Sequence, residues 1–412
     1  MAPTYLDDAR ALATELSDLR HTLHRHPEIG LDLPWTQGTV LEAMSDLDLE
    51  VATGAGTTSV TAVLRGGAST VPDEERPVVL LRGDMDALPV TEAADVDFRS
   101  EVPGAMHACG HDLHTTMLVG AARALTARRA ELPGDVVFMF QPGEEGFDGA
   151  GVMIAEGVLE AAGRRPDAAW ALHVMSSLAP HGIVAGRGGP MMAASNELHV
   201  TVRGAGGHGS APHRAKDPVP VAAEMVVGLQ TLVSRTLDPF QVAVLTVGEF
   251  HAGTKPNIIP DSARFAATIR CFDEGVLAHL ERDTVRYCRQ VAAAHGLDAD
   301  VVFARQYPVT VNDEGSVATA AAVVERVLGQ GRFLEMPFPI TGSEDFSRIL
   351  QASPGAMLFL GASVAGDAWE AAPDNHSPFA AFSDDVLPDG VALYCELAVE
   401  SLTAVSLTAV SR

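Results

Sequence analysis

The spacing of apolar residues predicts alternating strands and helices along the chain. Short continuous apolar runs are typical of strands buried on both faces, and apolar residues three or four apart predict amphipathic helices. We predict strands at 59–64, 77–81, 135–140, 168–172, 197–202, 241–250, 263–271, 298–305 and 356–360. We predict helices at 5–25, 36–47, 113–128, 218–233, 274–294, 317–328 and 385–405.

The order of these elements divides the chain into three segments. Strands and helices alternate at 1–186 and again at 306–412, which predicts a doubly wound α/β catalytic domain built from both segments. Between them, 187–305 follows the order β-α-β-β-α-β, which resembles a ferredoxin-like split unit. We therefore expect an α/β protein that carries an inserted ferredoxin-like α+β domain.

Acidic and histidine residues follow the predicted strands. Asp84 and Asp86 come after the second strand, Glu144 and Glu145 after the third, and His173 after the fourth. Open α/β sheets bind ligands at the carboxyl ends of their strands, so these side chains are expected to converge there. Taken singly, each pattern also has a simpler interpretation. Asp84 and Asp86 could lie in a solvated turn, Glu144 and Glu145 could be an exposed pair, and His173 could be a polar cap of its strand.

The segment MHACGHDLH at 106–114 places one thiol and three imidazoles within nine residues. Thiolate and imidazole together suit zinc or a similar first-row metal ion. The alternative is a polar loop that caps a helix through Asp112. Two earlier histidines, His24 and His26, are expected to have surface or capping roles.

Composition narrows the classes of partner. The formal net charge is −26, with 54 acidic against 28 basic residues, which argues against nucleic acid and anionic membranes. The four cysteines are widely spaced, so a disulfide framework is not expected. The N-terminus has no signal pattern, and no apolar run approaches the ~20 residues of a membrane helix. We expect a soluble cytoplasmic protein.

A late histidine completes a candidate metal site. The candidate ligands Cys109, His111, Glu145, His173 and His376 are enough for two divalent cations that share a bridging group. Such a site also needs a proton acceptor that is not a ligand, and we assign that role to Glu144. Asp86 is expected to hold a ligand imidazole in the correct tautomer.

Eight motifs, in order over nearly the whole chain, resemble those of the metal-dependent amidohydrolases related to aminoacylase and glutamate carboxypeptidase. The resemblance is greatest to the branch of hippurate hydrolase and the plant indoleacetyl-amino acid hydrolases. The motifs are GDMDALP at 83–89, MHACGHD at 106–112, QPGEEG at 141–146, LHV at 172–174, GHG at 207–209, NIIPD at 257–261, GSEDF at 342–346 and Asn-His at 375–376. The combination is specific, although any one motif is not.

The resemblance implies roles for individual residues. The five candidate ligands would bind the metals and Glu144 would be the base, with the thiol of Cys109 replacing a metal-binding histidine that the wider superfamily has at Asp84. The inserted domain would serve as a dimerisation and lid domain, and its His208 would reach the partner's active site and stabilise the tetrahedral oxyanion. The residues implied to hold the substrate carboxylate are Asn257, Gly342 and Arg270.

We therefore expect a homodimeric amidohydrolase that cleaves N-acyl-amino acids, hippurate-like or other acyl or aryl conjugates, to a carboxylic acid and an amino acid. A metal-bound water would attack, with Glu144 as general base, and the two ions would be zinc or manganese, with cobalt and nickel as alternatives. A dipeptidase or carboxypeptidase with the same site is the nearest alternative.

Two further classes are less consistent with the sequence. A thiol hydrolase with Cys109 as nucleophile and His111 as base would leave Glu144, Glu145 and His173 without a role. A metal-binding protein that has lost turnover would not need the base, yet Glu144 is present.

Overall fold

The computed structural model describes residues 3–69 and 71–410. Its strands are β1 Glu50–Thr53, β2 Val60–Leu64, β3 Val78–Asp84, β4 Asp135–Gln141, β5 Ala168–Met175, β6 Val184–Gly186, β7 Gly189–Met192, β8 Ala194–Arg203, β9 Gly207–His208, β10 Ala243–Ala252, β11 Ile258–Ile259, β12 Ser262–Cys271, β13 Asp298–Tyr307, β14 Thr310–Asn312, β15 Phe333–Glu335 and β16 Gly355–Gly361. Its α-helices are α1 Tyr5–Ala11, α2 Ala13–Arg25, α3 Pro34–Ala43, α4 His111–Ala127, α5 Gly149–Ala155, α6 Pro218–Thr236, α7 Glu274–Ala294, α8 Glu314–Val327, α9 Ser347–Ala352 and α10 Leu387–Val410.

The chain forms two compact units. The first comprises Met1–Met191, Val311–Phe338 and Arg348–Arg412, and the second Met192–Thr310 with Pro339–Ser347. The short segment Pro339–Ser347 clusters with the second unit, whereas the division predicted from the sequence kept it in the catalytic domain.

An eight-stranded mixed sheet forms the centre of the first unit, in the order β1-β2-β4-β3-β5-β16-β6-β15. The central strands β4, β3, β5 and β16 are parallel to one another, so their carboxyl ends lie at one edge of the sheet. Every residue of β3, β4 and β16 is buried. This explains their continuous apolar sequences, because strands covered on both faces cannot alternate polar and apolar residues.

Helices α4 and α10 pack against strands β3 and β5. Among the described residues, one segment is long and apolar enough to cross a membrane, Asp384–Leu407, and it includes most of α10. We expected no such segment. Half of that segment is buried, and the Tyr394 hydroxyl donates to the main-chain oxygen of Arg82 at 2.6 Å. The apolar composition of α10 therefore serves packing in the core.

The second unit contains a four-stranded antiparallel sheet in the order β10-β12-β8-β13. Helices α6 and α7 pack on it, and the core between them includes Leu198, Phe265, Leu229 and Leu280. The short strands β9 and β11 pair separately and bring His208 opposite Ile258.

The predicted mixed α/β class is confirmed, and the differences from the predicted elements are local. The predicted helix at 5–25 is two helices, which separate at Leu12, where φ is −88° and ψ is −5°. The predicted strand at 168–172 continues to Met175, so that His173 lies within β5. The strands of three or four residues, such as β6 and β15, were not predicted, because they are too short to show periodicity.

Candidate metal centre

The carboxyl edge of the large sheet carries most of the predicted site residues. Asp84 ends β3, Glu144 and Glu145 follow β4, and His173 lies near the end of β5. His376 belongs to a loop that follows β16. Parallel strands present their carboxyl ends together, which explains why residues so distant in sequence meet here.

A tight turn before α4 directs Cys109 and His111 to the same place. Gly110 lies between them with φ at 82°, in the left-handed region that favours glycine. A Cβ atom at Gly110 would lie 2.3 Å from Cγ2 of Val174, so a larger residue is also excluded by space. The turn places Sγ of Cys109 3.3 Å from Nε2 of His173.

The five predicted ligands form two overlapping groups. The ligand atoms of Cys109, His111 and His173 lie within 4.8 Å of one another, and so do those of Cys109, Glu145 and His376. Nε2 of His376 is 3.1 Å from Oε1 of Glu145. Cys109 belongs to both groups, so the structure brings the whole predicted ligand set together around its thiol.

The imidazoles have the tautomers that metal binding requires. Nδ1 of His111 lies 2.8 Å from the main-chain oxygen of Asp86 and must donate to it, while its buried Nε2 has no hydrogen-bond partner. His173 likewise donates from Nδ1 to the oxygen of Val174 at 2.9 Å, and burial lowers its pKa well below the ordinary value. Because Nδ1 of each ring is committed to a main-chain oxygen, Nε2 is the nitrogen that remains for a divalent ion of the zinc type.

The charges of the cluster also favour a cation. Hydrogen bonds to Cys109 and Glu145 raise the pKa of His376 to about 10. Burial would lower the pKa of His111, but the charge of Asp84 together with Asp86 and Cys109 outweighs burial and raises that pKa well above its ordinary value. Burial would raise the pKa of Glu145, but the hydrogen bond to His376 together with the charges of His111 and His376 outweighs burial and lowers that pKa. Without a metal the site thus retains protons, which a divalent ion would displace.

Asp84 and His114 lie beside this cluster, but their polar atoms already have partners. Oδ1 of Asp84 accepts from Nδ1 of His114 at 2.6 Å, and Oδ2 accepts from Arg82 at 2.5 Å. Nε2 of His114 accepts from the main-chain nitrogen of Val174 at 2.7 Å. Burial opposes the charge of Asp84, but Arg82, His111 and His114 together outweigh burial and hold the pKa of this carboxyl well below its ordinary value. Asp84 and His114 therefore join the ends of β3 and β5 to α4 through these hydrogen bonds.

Asp86 holds the two glutamates. Its carboxylate accepts the main-chain N–H groups of Glu144 and Glu145, each at 3.0 Å. The sequence predicted that this carboxylate would hold a ligand imidazole, but the main-chain oxygen of Asp86 makes the 2.8 Å contact to His111, and Oδ1 is 3.5 Å away. Glu144 is buried, with a carboxylate oxygen within 4.8 Å of ligand atoms of His111 and Glu145.

The remaining predicted site residues belong to the second unit. His208, Asn257 and Gly342 are exposed, and Arg270 is half-buried, with a hydrogen bond of 2.8 Å to Oγ of Ser343. In His208, Nδ1 accepts from the main-chain nitrogen of Ser210 at 3.2 Å, so the proton of the neutral ring is on Nε2. His208 can therefore donate a hydrogen bond from Nε2.

A buried ionic network in the first unit was not predicted. Oδ2 of Asp112 accepts from Nε of Arg20 at 2.7 Å and lies 2.8 Å from Nδ1 of His24, whose Nε2 is 3.1 Å from Glu92. His24 is 2% exposed, so the surface or capping role predicted for it is wrong. The helix pattern contained a hint, because His24 follows Leu23, which is also buried, in the last turn of α2.

A cluster of thiol, imidazole and carboxylate donors beside a buried carboxylate is typical of metal-dependent hydrolases. The family follows from comparison with known proteins: residues 80–400 match the model of peptidase family M20/M25/M40, and the chain belongs to this family. It is a hydrolase that acts on amide bonds.

Three similar proteins represent the family. The chain is 35% identical to thermostable carboxypeptidase 2 of Saccharolobus solfataricus, over 96% of this chain and 97% of that protein. It is 36% identical to IAA-amino acid hydrolase ILR1-like 4 of Arabidopsis thaliana, over 93% and 85%. A dinuclear metal-binding peptidase of family M20 from Bacillus subtilis has a solved structure that superposes with a TM-score of 0.81, at 28% identity over 96% and 99%. The predicted family resemblance is confirmed.

Proposed function

We propose that the protein hydrolyses N-acyl-amino acids to a carboxylic acid and a free amino acid. The observation that carries the proposal is the pair Glu144 and Glu145. Glu145 shares a ligand group with Cys109 and His376, and the carboxylate of the buried Glu144 lies within 4.8 Å of ligand atoms of His111 and Glu145, where it can transfer protons. The similarity to an IAA-amino acid hydrolase supports an acylated amino acid as substrate.

The side chains of Cys109, His111, Glu145, His173 and His376 would hold two divalent ions, zinc or manganese, with cobalt and nickel as alternatives. When bound, these ions supply polarisation of the substrate carbonyl and lower the pKa of water. The shared position of Cys109 in both ligand groups supports two ions over one.

The chain's own groups perform the proton transfers. The carboxylate of Glu144 takes a proton from the attacking water and returns it to the leaving amine nitrogen. Asp86 orients Glu144 by accepting the N–H groups of both glutamates. Exclusion of water around the buried Glu144 strengthens its interaction with the developing positive charge of the amine.

The second unit would act as a dimerisation and lid domain. His208, from the second protomer of a homodimer, would donate from Nε2 to the tetrahedral oxyanion, which its hydrogen bond from Ser210 supports. Asn257, Gly342 and Arg270 would bind the substrate carboxylate. We place the enzyme in the cytoplasm, because its four cysteines are all unpaired.

A carboxypeptidase or dipeptidase with the same site is the second candidate, which the similarity to a thermostable carboxypeptidase supports. The two functions differ in whether the acyl side of the substrate carries a free amine. The test is to assay metal-free protein reconstituted with each of the four metals against hippurate, other N-acyl-amino acids and matched dipeptides.

We expect cleavage of the acylated substrates and loss of activity with a chelator. Preference for dipeptides would favour the second candidate. Activity that survives removal of the metals would contradict both functions.

A further inference from the structure

The side chain of Asn375 contacts two separate segments of the candidate metal centre, the turn at Cys109 and the end of β5. Its Nδ2 lies 3.0 Å from the main-chain oxygen of Val174, 3.3 Å from that of Cys109 and 3.7 Å from the Cys109 thiol. Its Oδ1 accepts from the main-chain nitrogen of Ser176 at 3.0 Å. Carbonyl oxygens only accept and the Ser176 N–H only donates, so these partners fix the orientation of the amide.

These contacts join the segments that carry three ligands. Val174 and Ser176 follow His173 at the end of β5, and Cys109 is itself a ligand. The third ligand, His376, comes directly after Asn375 and has φ at 71°, a conformation that residues other than glycine rarely adopt. A hydrogen bond of 2.9 Å from the His376 nitrogen to the oxygen of Ala108 holds it there.

From these contacts we infer that Asn375 is a positioning residue, which sets the separation of Cys109, His173 and His376 and donates a hydrogen bond to the metal-binding thiolate. The inference rests on the proposed function. An N–H donor near a thiolate withdraws electron density from sulfur, and outer groups of this kind tune both ligand geometry and metal affinity.

The decisive variant is Asn375→Asp, which keeps the shape and the acceptor for Ser176 but replaces the donor nitrogen with an oxygen that faces Cys109 and Val174. The matched control is Asn312→Asp in the same unit. Asn312 is buried, donates to the oxygens of Arg187 and Met357, and accepts from the Met357 nitrogen at 2.8 Å. The control variant also loses hydrogen bonds from an amide nitrogen to main-chain oxygens, but neither of these oxygens belongs to a candidate metal ligand.

The measurement is cobalt(II) binding to the metal-free proteins, by competition with a chelator, together with the sulfur-to-cobalt absorption band. We expect Asn375→Asp to weaken binding by about 10–100-fold and to shift the band. The control should lose thermal stability to a similar degree and keep the wild-type affinity and band. Equal changes in both variants, or a wild-type affinity and band in Asn375→Asp, would overturn the inference.

If Asn375→Asp does not fold, Asn375→Ala replaces it, because it removes the donor to Cys109 and Val174 without adding a negative charge beside them. Weaker cobalt binding in that variant supports the inference and unchanged binding overturns it. Failure of the wild-type protein to bind cobalt would overturn the proposed function and the inference together. Wild-type binding with an unaltered Asn375→Asp spectrum would overturn the inference alone.

Discussion

The predicted site residues differ in how the two units hold them. In the first unit His111 and Glu145 are fixed by Asp86, which is distant from Glu145 in sequence, and the surrounding side chains are largely buried. In the second unit His208 is exposed and bonded to Ser210, two residues away. A group that is fixed before substrate binds loses little entropy in the reaction, whereas an exposed group depends on substrate or a partner to fix it. The comparison teaches that substitutions of the ligands and of the buried groups that hold them in the first unit should change metal binding or stability, whereas substitution of His208 in the second should change turnover alone.

The largest effect should come from Glu144→Gln, which tests whether the first unit separates proton transfer from metal binding. We expect turnover to fall about 100-fold to 10,000-fold, because the amide cannot accept the water's proton. Metal content, measured by elemental analysis, should remain near that of the wild type. The matched variant Glu145→Gln should lose metal, and the opposite pattern would show that the roles of the two glutamates are reversed.

The next effect concerns the buried ionic network. Asp112→Asn removes the carboxylate that Arg20 and His24 share, although Asp384 and Glu92 remain as their outer partners. Removal of one partner of a buried ion pair costs about 3–5 kcal/mol of unfolding free energy. Denaturant unfolding of the metal-free protein can be followed by tryptophan fluorescence, because the three tryptophans all belong to the first unit.

The control for this network is Asp95→Asn, whose carboxylate is fully exposed in its pair with Arg99. We expect no measurable change in the free energy of unfolding, because an exposed ion pair contributes little to stability. Equal losses in the two variants would mean that the burial of Asp112 has no special importance for stability.

A smaller effect is expected in the second unit. His208→Ala should lower kcat by about 100-fold, the usual cost of one lost oxyanion donor. The melting temperature should not change, because His208 is exposed. Mixing this variant with Glu144→Gln protomers should restore part of the activity if His208 acts across a dimer. A fall in melting temperature would contradict the distinction between the two units. No recovery of activity on mixing would contradict the proposed role of His208 across the dimer.

The sequence indicated which residues gather at the sheet edge, because most of them lie beside a recognisable local pattern. Glu145 and His173 are adjacent to apolar runs that could only be buried strands, and Cys109 and His111 share one turn. Asn375 and Asp112 could not be assigned their contacts in this way, since each depends on partners 88 or more residues away, such as His24 and Cys109. Local sequence patterns specify where a strand ends. The hydrogen-bond partners of the polar side chains around that end are determined only when distant parts of the chain fold together.

The smallest effect is a pH dependence of stability that originates at His24. Burial would lower the pKa of this imidazole, but Asp112, with help from Glu92, outweighs burial and the opposing charge of Arg20 and raises it above 6.5. Because the folded pKa is raised, the stability from the charged ring is fully present below pH 6.5 and is lost as pH rises through the folded value.

The variant His24→Gln keeps a hydrogen-bond donor but cannot titrate. We expect it to be less stable than the wild type by about 1.5–3 kcal/mol below pH 6.5, the usual value of hydrogen bonds to charged groups, with a smaller difference above it. Denaturant unfolding of the metal-free proteins on both sides of that pH measures the difference. A difference that is constant or grows with pH would mean that His24 is neutral in the folded protein. The buried network would then stabilise the first unit through Arg20 and Asp112 alone.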